Sequence, residues 1–307
     1  MKEMAEKKNI LITGCCGYIG SYFIGHFASV YNIIGIDDLR TQRYCSLFNL
    51  QYKIKFYEQS VQDISVEHLK DVDVVIHLAG TVDAANSFEK RLDLNEDIED
   101  AKHLIELCNA YDILLIFPSS TSVYGVGGEV KEDDDKYLNP QSPYAETKII
   151  IEDYVKNSCK KYLIFRFGTV TGYAPGIRFQ TAINKFCYNA CLGIPLTVWK
   201  QNYEQVRPFL TVNQANISIH RLIKTGIFNE TYNVVSENLT PRQIIERIKL
   251  YKPINIDWVD TPLLNQYSYN VNDDKILPYI FKDKISFAID ELLQILYNTN
   301  KEINYYD

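Results

Sequence analysis

The sequence predicts an α/β fold in which a doubly wound parallel sheet carries a smaller α+β part. Short apolar runs alternate with helical segments over the first half of the chain, which is typical of parallel strands joined by crossover helices. Beyond about residue 172 this alternation loosens. We therefore expect one unit over residues 1–172, with some chain returning to it near 207–235, and a second unit over 173–307.

The composition is that of an ordinary globular protein and narrows the functional classes. Of 307 residues, 46% are hydrophobic and 23% are charged, which is close to the average for soluble domains. A net charge of −7 without any basic block argues against nucleic-acid binding. The charged amino terminus leads into an apolar run too short for a signal peptide or membrane span, so we expect a cytoplasmic protein without membrane contact.

The seven cysteines do not indicate a metal site. They form an odd set with no CxxC pair, so neither a zinc site nor a disulfide framework is expected. The acidic run at 132–135 lies in a polar stretch and is interpreted as a solvated loop. We therefore expect no metal.

A glycine-rich loop follows the first predicted strand, Asn9–Thr13. Its residues are Gly14, Cys15, Cys16, Gly17, Tyr18, Ile19 and Gly20. Such glycines permit a tight turn and a close approach of backbone amides to a pyrophosphate, and the amino end of the following helix (19–30) favours an anion. A strand-to-helix turn without a ligand is the alternative interpretation of so short a motif.

Acidic residues follow the next two strands. Asp37 ends the strand at 32–36, 17 residues after Gly20, near the spacing at which a carboxylate binds the adenosine ribose hydroxyls. It favours NAD over NADP, although Arg40 leaves room for NADP, and Asp37 could instead cap the next turn. After the strand at 53–57, Asp63 could contact an adenine amino group, or it could cap a helix over 65–70.

Further candidate positions follow the fourth and fifth strands, at 73–77 and 113–117. His77, at the end of the fourth strand, is expected to be structural. The residues after these strands are Leu78, Ala79 and Gly80, and then Ser119, Ser120 and Thr121. The carboxyl ends of parallel strands meet at one edge of a sheet, so these segments are expected to converge on a ligand.

Tyr144 and Lys148 share one face of a helix that opens at Pro143. In a chain with 23 tyrosines and 32 lysines and arginines, this spacing alone can arise by chance. A surface pair is therefore the simpler interpretation until other residues support a site.

Taken in order, these segments resemble the extended short-chain dehydrogenase/reductase family, and within it the NAD-dependent nucleotide-sugar epimerases and dehydratases. The resemblance covers nearly the whole chain. It rests on residues 13–20, Asp37, 63–64, 77–80, Asn95, 119–125, 140–148, Arg166 and 207–209. It implies a Rossmann-type NAD-binding domain over 1–172, a nucleotide-sugar-binding part over 173–307, and a homodimer.

The resemblance also implies the catalytic roles. Tyr144 would be the general base that removes a proton from a sugar hydroxyl, and Lys148 would lower the pKa of Tyr144 and hold the nicotinamide ribose. Ser120 would hydrogen-bond the reacting oxygen, with Ser119 as the less favoured alternative.

The implied binding residues form two sets. The NAD site would comprise Gly14, Gly17, Tyr18, Ile19, Gly20, Asp37, Asp63, Ile64, Leu78, Ala79, Gly80, Asn95, Tyr144 and Lys148. Arg207 would grip the diphosphate of the substrate through its planar fork of donors. Arg178 is a second diphosphate or sugar candidate, and Thr121 and Thr169 are expected to contact the sugar.

The reaction implied by the resemblance is oxidation of C4 of a nucleoside-diphosphate hexose or heptose to a 4-keto sugar. The enzyme would be a 4-epimerase or a net 4-dehydrogenase in surface-polysaccharide sugar biosynthesis. Thr121 and Ser122 stand where 4,6-dehydratases of the family carry acids, so dehydration is disfavoured, and Thr169 replaces the usual substrate asparagine. The alternative is a non-catalytic NAD-binding regulatory protein, against which the Ser120, Tyr144 and Lys148 set argues.

Overall fold

The computed structural model describes residues 7–82, 87, 91–125, 127–133, 135–260 and 268–303. Its strands are β1 (Asn9–Thr13), β2 (Asn32–Asp37), β3 (Lys55–Glu58), β4 (Val74–His77), β5 (Leu114–Ser120), β6 (Glu129–Val130), β7 (Tyr162–Phe167), β8 (Thr169–Thr171), β9 (Leu196–Trp199), β10 (Arg207–Thr211), β11 (Glu230–Val234), β12 (Glu237–Leu239), β13 (Ile256–Val259) and β14 (Asn270–Val271). Its α-helices are α1 (Tyr18–Phe27), α2 (Arg91–Ala110), α3 (Pro143–Ser158), α4 (Ala182–Leu192), α5 (Val212–Thr225), α6 (Pro241–Lys249) and α7 (Ile285–Ile303).

Seven strands form the central sheet, in the order β3-β2-β1-β4-β5-β7-β11. Every neighbouring pair is parallel. The chain moves outward from β1 to β3 and then crosses to β4 on the other side, so the carboxyl ends of β1 and β4 flank a topological switch point, where α/β sheets bind ligands. The predicted doubly wound parallel sheet is confirmed.

Helices cover both faces of the central sheet. On one face, apolar side chains of α1 and α5 pack on the strands, and on the other face α2 and α3 do so. Both layers are needed because strands of a parallel sheet are apolar on both sides. Within the described residues, no helix is both long and apolar enough to cross a bilayer.

Three smaller sheets and three helices lie outside this layer structure. The smaller sheets have the strand orders β12-β10-β8, β13-β9 and β14-β6. A separate apolar core joins α4, α6 and α7 to β9 and β10. The chain enters the β12-β10-β8 sheet at β8, directly after β7. This small sheet therefore begins beside the carboxyl end of a strand of the central sheet.

The prediction of a helix over 65–70 is wrong. The segment forms only a single 3-10 turn, Val66–His68, and Ser65 and His68 make its capping box. Asp63 is exposed and accepts a hydrogen bond from the Ser60 hydroxyl at 2.7 Å, so it does not serve as the cap. A serine at the N-cap satisfies the orphan amides of so short a turn, and a second acceptor is not required.

A buried ion pair fixes α3 to the sheet. Arg166, on β7, and Glu152, on α3, are both almost fully buried, and Arg166 donates from Nε at 3.0 Å and from Nη2 at 2.6 Å. Glu152 also accepts from Ser119 Oγ at 2.6 Å. Arg166 Nη1 donates to the hydroxyl of Tyr124 at 2.9 Å. Each group in the pair therefore has the partners that a buried charge requires.

The amino-terminal loop approaches the end of β4 closely. Gly14 has a φ of 65°, and a Cβ built on it would lie 2.6 Å from the backbone nitrogen of Ala79. Both the left-handed conformation and this contact require glycine. The loop is therefore packed directly against the segment that follows β4.

Replacing Glu152 by alanine is predicted to destabilise the fold, because it leaves the Arg166 charge buried without a counterion. We expect the free energy of unfolding in urea to fall by about 3–5 kcal/mol. Burial alone would raise the pKa of Glu152, but the hydrogen bonds and charge of Arg166 outweigh it and hold the pKa below its usual range. The difference from wild type should therefore shrink as the pH falls below about 4.

The matched control is Glu99→Ala, which removes an exposed ion pair with Lys102 on α2. It should leave the unfolding curve nearly unchanged, because exposed pairs contribute little. Equal losses for the two variants would contradict a special role for the buried pair.

Replacing Gly14 by alanine is predicted to cost at least about 1 kcal/mol of stability from the backbone conformation alone, and more from the contact with Ala79. Gly25→Ala, inside α1, is the control. A Cβ there meets nothing within 4 Å, so this variant should be more stable by about 0.5–1 kcal/mol. Thermal unfolding of both variants measures their stabilities relative to wild type. A Gly14→Ala variant as stable as wild type would contradict the prediction.

Candidate active site

The structure brings Ser120, Tyr144 and Lys148 together at the carboxyl end of the central sheet. Ser120 ends β5, and Tyr144 lies in the first turn of α3, whose N-cap Ser142 accepts a hydrogen bond from Ala145 N at 3.3 Å. The Ser120 hydroxyl lies near enough to the Tyr144 phenol to lower its pKa. The Nζ of Lys148 lies 5.7 Å from the centroid of the Tyr144 ring and donates to the carbonyl of Pro118 at 3.5 Å.

The two neighbouring serines face opposite ways because successive residues of a strand alternate between the faces of a sheet. Ser119 is buried and donates to Glu152. Ser120 faces Tyr144, and its Oγ accepts the backbone N–H of Ser122 at 3.2 Å. Of the two serines considered, the structure therefore brings Ser120 to the tyrosine.

The protonation of the site is set by burial and by nearby charges. Burial raises the pKa of Tyr144, and the hydrogen bond with Ser120 and the charge of Arg178 oppose this effect. Burial lowers the pKa of Lys148, and the carboxylates of Asp97 and Glu152 oppose it. Arg178, which the sequence assigned to the substrate, thus adds a positive charge that lowers the pKa of Tyr144.

His77 has a structural role. Burial, and then the charge of Lys148, lower the pKa of His77 to about 3, so its imidazole is neutral. Its Nδ1 lies 2.9 Å from the Oγ1 of Thr13, and this hydroxyl oxygen accepts the N–H of Ala79 at 3.2 Å. The histidine thus links the ends of β1 and β4.

Arg178 reaches the site from the loop that follows β8. Its Nη1 donates to the carbonyl of Val82 at 3.1 Å, and its own carbonyl accepts from Asn184 Nδ2 at 2.9 Å. The guanidinium is close enough to influence Tyr144. Of the two predicted arginines, Arg178 is therefore the one whose charge acts on Tyr144.

Asn95, which the sequence predicts for the cofactor site, and Asp97 lie two positions apart on α2. Asn95 is exposed, whereas Asp97 accepts the N–H of Thr81 on both carboxylate oxygens, at 3.1 and 2.9 Å. Two positions on a helix are separated by roughly 200° around its axis, so the two side chains face opposite ways. Helical spacing from buried Leu94 and Ala101 would have identified Asp97 as the inward residue.

The glycine-rich loop fits a pyrophosphate. Helix α1 starts at N-cap Gly17 without a side-chain cap and without an acid in its first turn, which leaves amides for an anion. A Cβ on Gly20 would lie 2.9 Å from the backbone of Cys15, so close packing of the loop also requires glycine there. These features are those of a dinucleotide-binding turn.

Asp37 lies beside this loop. Its Oδ2 accepts the N–H of Cys16 at 2.9 Å, and its Oδ1 accepts the N–H of Leu39 at 3.0 Å. The carboxylate therefore caps the next turn, as one sequence interpretation proposed, while lying at the end of β2 where a ribose would be bound. Burial raises the pKa of Asp37, and the two N–H donors oppose this effect.

Several side chains predicted for the cofactor site pack elsewhere. The hydroxyl of Tyr18 donates to the carbonyl of Gly172, and Ile64 lies in the core beneath α2. Ile19 and Leu78 pack against the core on the α1 face. At these positions the backbone is the part left to face a ligand.

The predicted substrate residues Thr169 and Arg207 lie on adjacent strands of the β12-β10-β8 sheet, where Thr169 pairs with Phe209. The guanidinium of Arg207 lies 4.8 Å from the ring centroid of Tyr269. Tyr269 is buried and was not predicted, since it is distant in sequence from any motif. Thr121 is also buried, and the neighbouring Ser122 Oγ has no hydrogen-bond partner within the described chain.

One group of potential metal ligands occurs in the described part of the chain. It consists of Cys15, Cys16 and Asp37, whose ligand atoms lie within 4.8 Å of one another. The hydrogen bond with Cys16 and burial raise the pKa of the Cys15 thiol. A protonated thiol is a poor metal ligand, so this group fits loop packing.

Comparison with known proteins agrees with the geometry. Residues 10–234 match the model of the NAD dependent epimerase/dehydratase family. A putative UDP-glucose 4-epimerase of Methanocaldococcus jannaschii is 31% identical over 174 residues, a match that spans 53% of this chain and 56% of that protein.

Two solved structures share the fold over nearly the whole chain. The UDP-glucuronic acid 4-epimerase from Bacillus cereus in complex with NAD is 25% identical, has a TM-score of 0.80, and is matched over 94% of this chain and 99% of that one. For a UDP-N-acetylglucosamine 4-epimerase from Methanobrevibacter ruminantium the identity is 21%, the TM-score 0.84, and the coverage 96% and 99%. With a family model that spans most of its length and a site that fits a dinucleotide, this chain belongs to the NAD dependent epimerase/dehydratase family.

Proposed function

We propose that this enzyme oxidises C4 of a nucleoside-diphosphate sugar to a 4-keto sugar and returns it as the C4 epimer. The observation that carries the proposal is that Ser120, Tyr144 and Lys148 converge at the carboxyl end of the central sheet, with Lys148 Nζ 5.7 Å from the centroid of the Tyr144 ring. A net 4-dehydrogenase would use the same residues and differ only in releasing the ketone. Relatives with 4-epimerase names support the epimerase.

The chain's own groups would move the proton. Tyr144, as the phenolate, accepts the proton of the C4 hydroxyl, and Ser120 donates a hydrogen bond to the sugar oxygen as its negative charge develops. NAD, when bound, supplies the hydride acceptor and a positive charge. Because the phenolate is the reactive form, activity is expected to increase with pH through the ionisation of Tyr144, whose pKa burial raises, and to decrease when Lys148 loses its proton.

The rest of the chain would bind the nucleotide and the sugar. We propose residues 1–172 as the NAD-binding part and 173–307 as the sugar-binding part, with 207–235 returning to the first. Strand β11 supports this division by adding the seventh strand to the central sheet. The forked donors of Arg207 suit a diphosphate. A homodimer through a helix pair from each subunit is also proposed.

Two alternatives are less well supported. Dehydration needs an acid near the reacting oxygen, and Thr121 and Ser122 supply no carboxylate. A non-catalytic NAD-binding regulatory protein has no need to place Ser120 and Tyr144 beside a buried lysine. Conversion of any nucleotide sugar would eliminate the regulatory alternative.

The position of Arg178 favours a sugar that carries a carboxylate. Its guanidinium influences Tyr144, so it would lie near the reacting ring of a bound substrate. An arginine binds a carboxylate through two parallel donors. The 25% identical neighbour is a UDP-glucuronic acid 4-epimerase, which supports a uronic acid as the first substrate to test.

The direct test of the proposal is incubation with UDP-glucose, UDP-glucuronic acid, UDP-N-acetylglucosamine and the corresponding dTDP, GDP and CDP sugars, followed by chromatography of the products. Tyr144→Phe should lower kcat at least about 100-fold and leave NAD affinity unchanged by calorimetry. Tyr154→Phe, farther along α3, is the control and should retain activity. The proposal fails if wild type alters no sugar, and another base is needed if Tyr144→Phe remains active.

Arg178→Met should reduce kcat/KM for UDP-glucuronic acid by about 10–100-fold, the equivalent of one charge-assisted hydrogen bond. It should reduce UDP-glucose turnover less. Removal of the positive charge should also raise the pKa of Tyr144, so that the acidic limb of the pH profile moves to higher pH. Equal losses for both sugars would count against carboxylate recognition.

A further inference from the structure

Asp97 forms a contact that ties α2 to the segment after β4. Both of its carboxylate oxygens accept the N–H of Thr81, at 3.1 and 2.9 Å. Gly80 has a φ of 139°, and a Cβ built on it would lie 3.3 Å from Asp97 Oδ1. The carboxylate therefore packs directly on the backbone of Gly80 and holds the turn that follows Ala79.

The same carboxylate faces the redox site. Among the charges that act on Lys148, Asp97 is the strongest that favours the protonated amine, followed by Glu152. Asp97 also disfavours the Tyr144 phenolate, against Arg178. Burial raises the pKa of Asp97, and Lys148 and then the N–H of Thr81 oppose this effect, while Asp100 adds to it.

Other groups also face Lys148 and Tyr144. Lys148 faces Glu152 on its own helix and neutral His77 on β4. Tyr144 faces Ser120 on β5 and Arg178 in the loop after β8. None of these groups both contacts the 80–81 backbone and acts on Lys148 and Tyr144, so Asp97 has no equivalent among them.

We propose that Asp97 is a positioning residue of the redox site, whose carboxylate clamps the Gly80–Thr81 backbone against α2 and supplies the negative charge that Lys148 faces. The role rests on the proposed function. The role has a geometric part, acceptance of the Thr81 N–H, which any acceptor of the right shape can perform. It also has an electrostatic part, which requires the negative charge of the carboxylate.

Asp97→Asn separates these two parts, because an amide oxygen can still accept the N–H of Thr81 but carries no charge. Loss of the negative charge favours the Tyr144 phenolate and disfavours protonated Lys148. Both limbs of the pH profile of kcat should therefore move to lower pH, each by about one unit, while KM and the affinity for NAD remain within about twofold of wild type.

Asp97→Ala removes both parts. It should show the same displacement of the profile and, because the Thr81 N–H loses its acceptor, bind NAD about tenfold more weakly by calorimetry. Asp100→Asn is the matched control. Asp100 lies one turn along α2 and accepts from Gln62 Nε2 at 2.8 Å, and its variant should leave the pH profile in place.

An unshifted pH profile for Asp97→Asn would overturn the proposal, and so would a shift of equal size in Asp100→Asn. If wild type converts no nucleotide sugar, the proposed function fails. Ultraviolet difference titration of tyrosinate, wild type minus Tyr144→Phe, then still tests Asp97. Ionisation of Tyr144 at lower pH in the Asp97→Asn background supports the role, and unchanged ionisation overturns it.

Discussion

The buried ion pair between Glu152 and Arg166 is the interaction on which the candidate active site depends. It joins α3, which carries Tyr144 and Lys148, to β7, and Ser119 extends it to β5. Two charges with less than 2% of their surface exposed can persist only with complete sets of partners. The ion pair therefore holds α3 in one position against the sheet. Tyr144 and Lys148, four residues apart on this helix, are positioned with it.

Around this fixed helix, the electrostatics of the site come from charges of both signs. Arg178 favours the phenolate of Tyr144, whereas Asp97 disfavours it and instead favours protonated Lys148. These effects compete with burial, which favours the neutral form of both groups. The protonation state needed for proton transfer therefore depends on residues from α2 and from the loop after β8, as well as on α3 itself.

Substrate recognition would involve the less regular part of the chain. Arg207 and Thr169 lie on adjacent strands of a small sheet, and that sheet begins immediately after β7. The connection is short, so the diphosphate and sugar contacts would be fixed relative to the ends of the central strands. The carboxyl edge of the central sheet can in this way combine the glycine-rich turn after β1 with Thr169 and Arg207, which lie more than a hundred residues later in the chain.

The parallel sheet, the glycine-rich turn and the helix with Tyr144 and Lys148 can be predicted from the sequence, because strand periodicity, glycine spacing and helical spacing are local properties. Packing between elements determines which of Ser119 and Ser120 faces Tyr144, turns Asp97 toward the site, and lets the charge of Arg178 act on the tyrosine. Those outcomes depend on which face of an element is turned toward its neighbours. A shift of one residue along a strand, or of two along a helix, turns a side chain to the opposite face. Contacts between elements, such as the Glu152–Arg166 pair between α3 and β7, determine which face is turned inward.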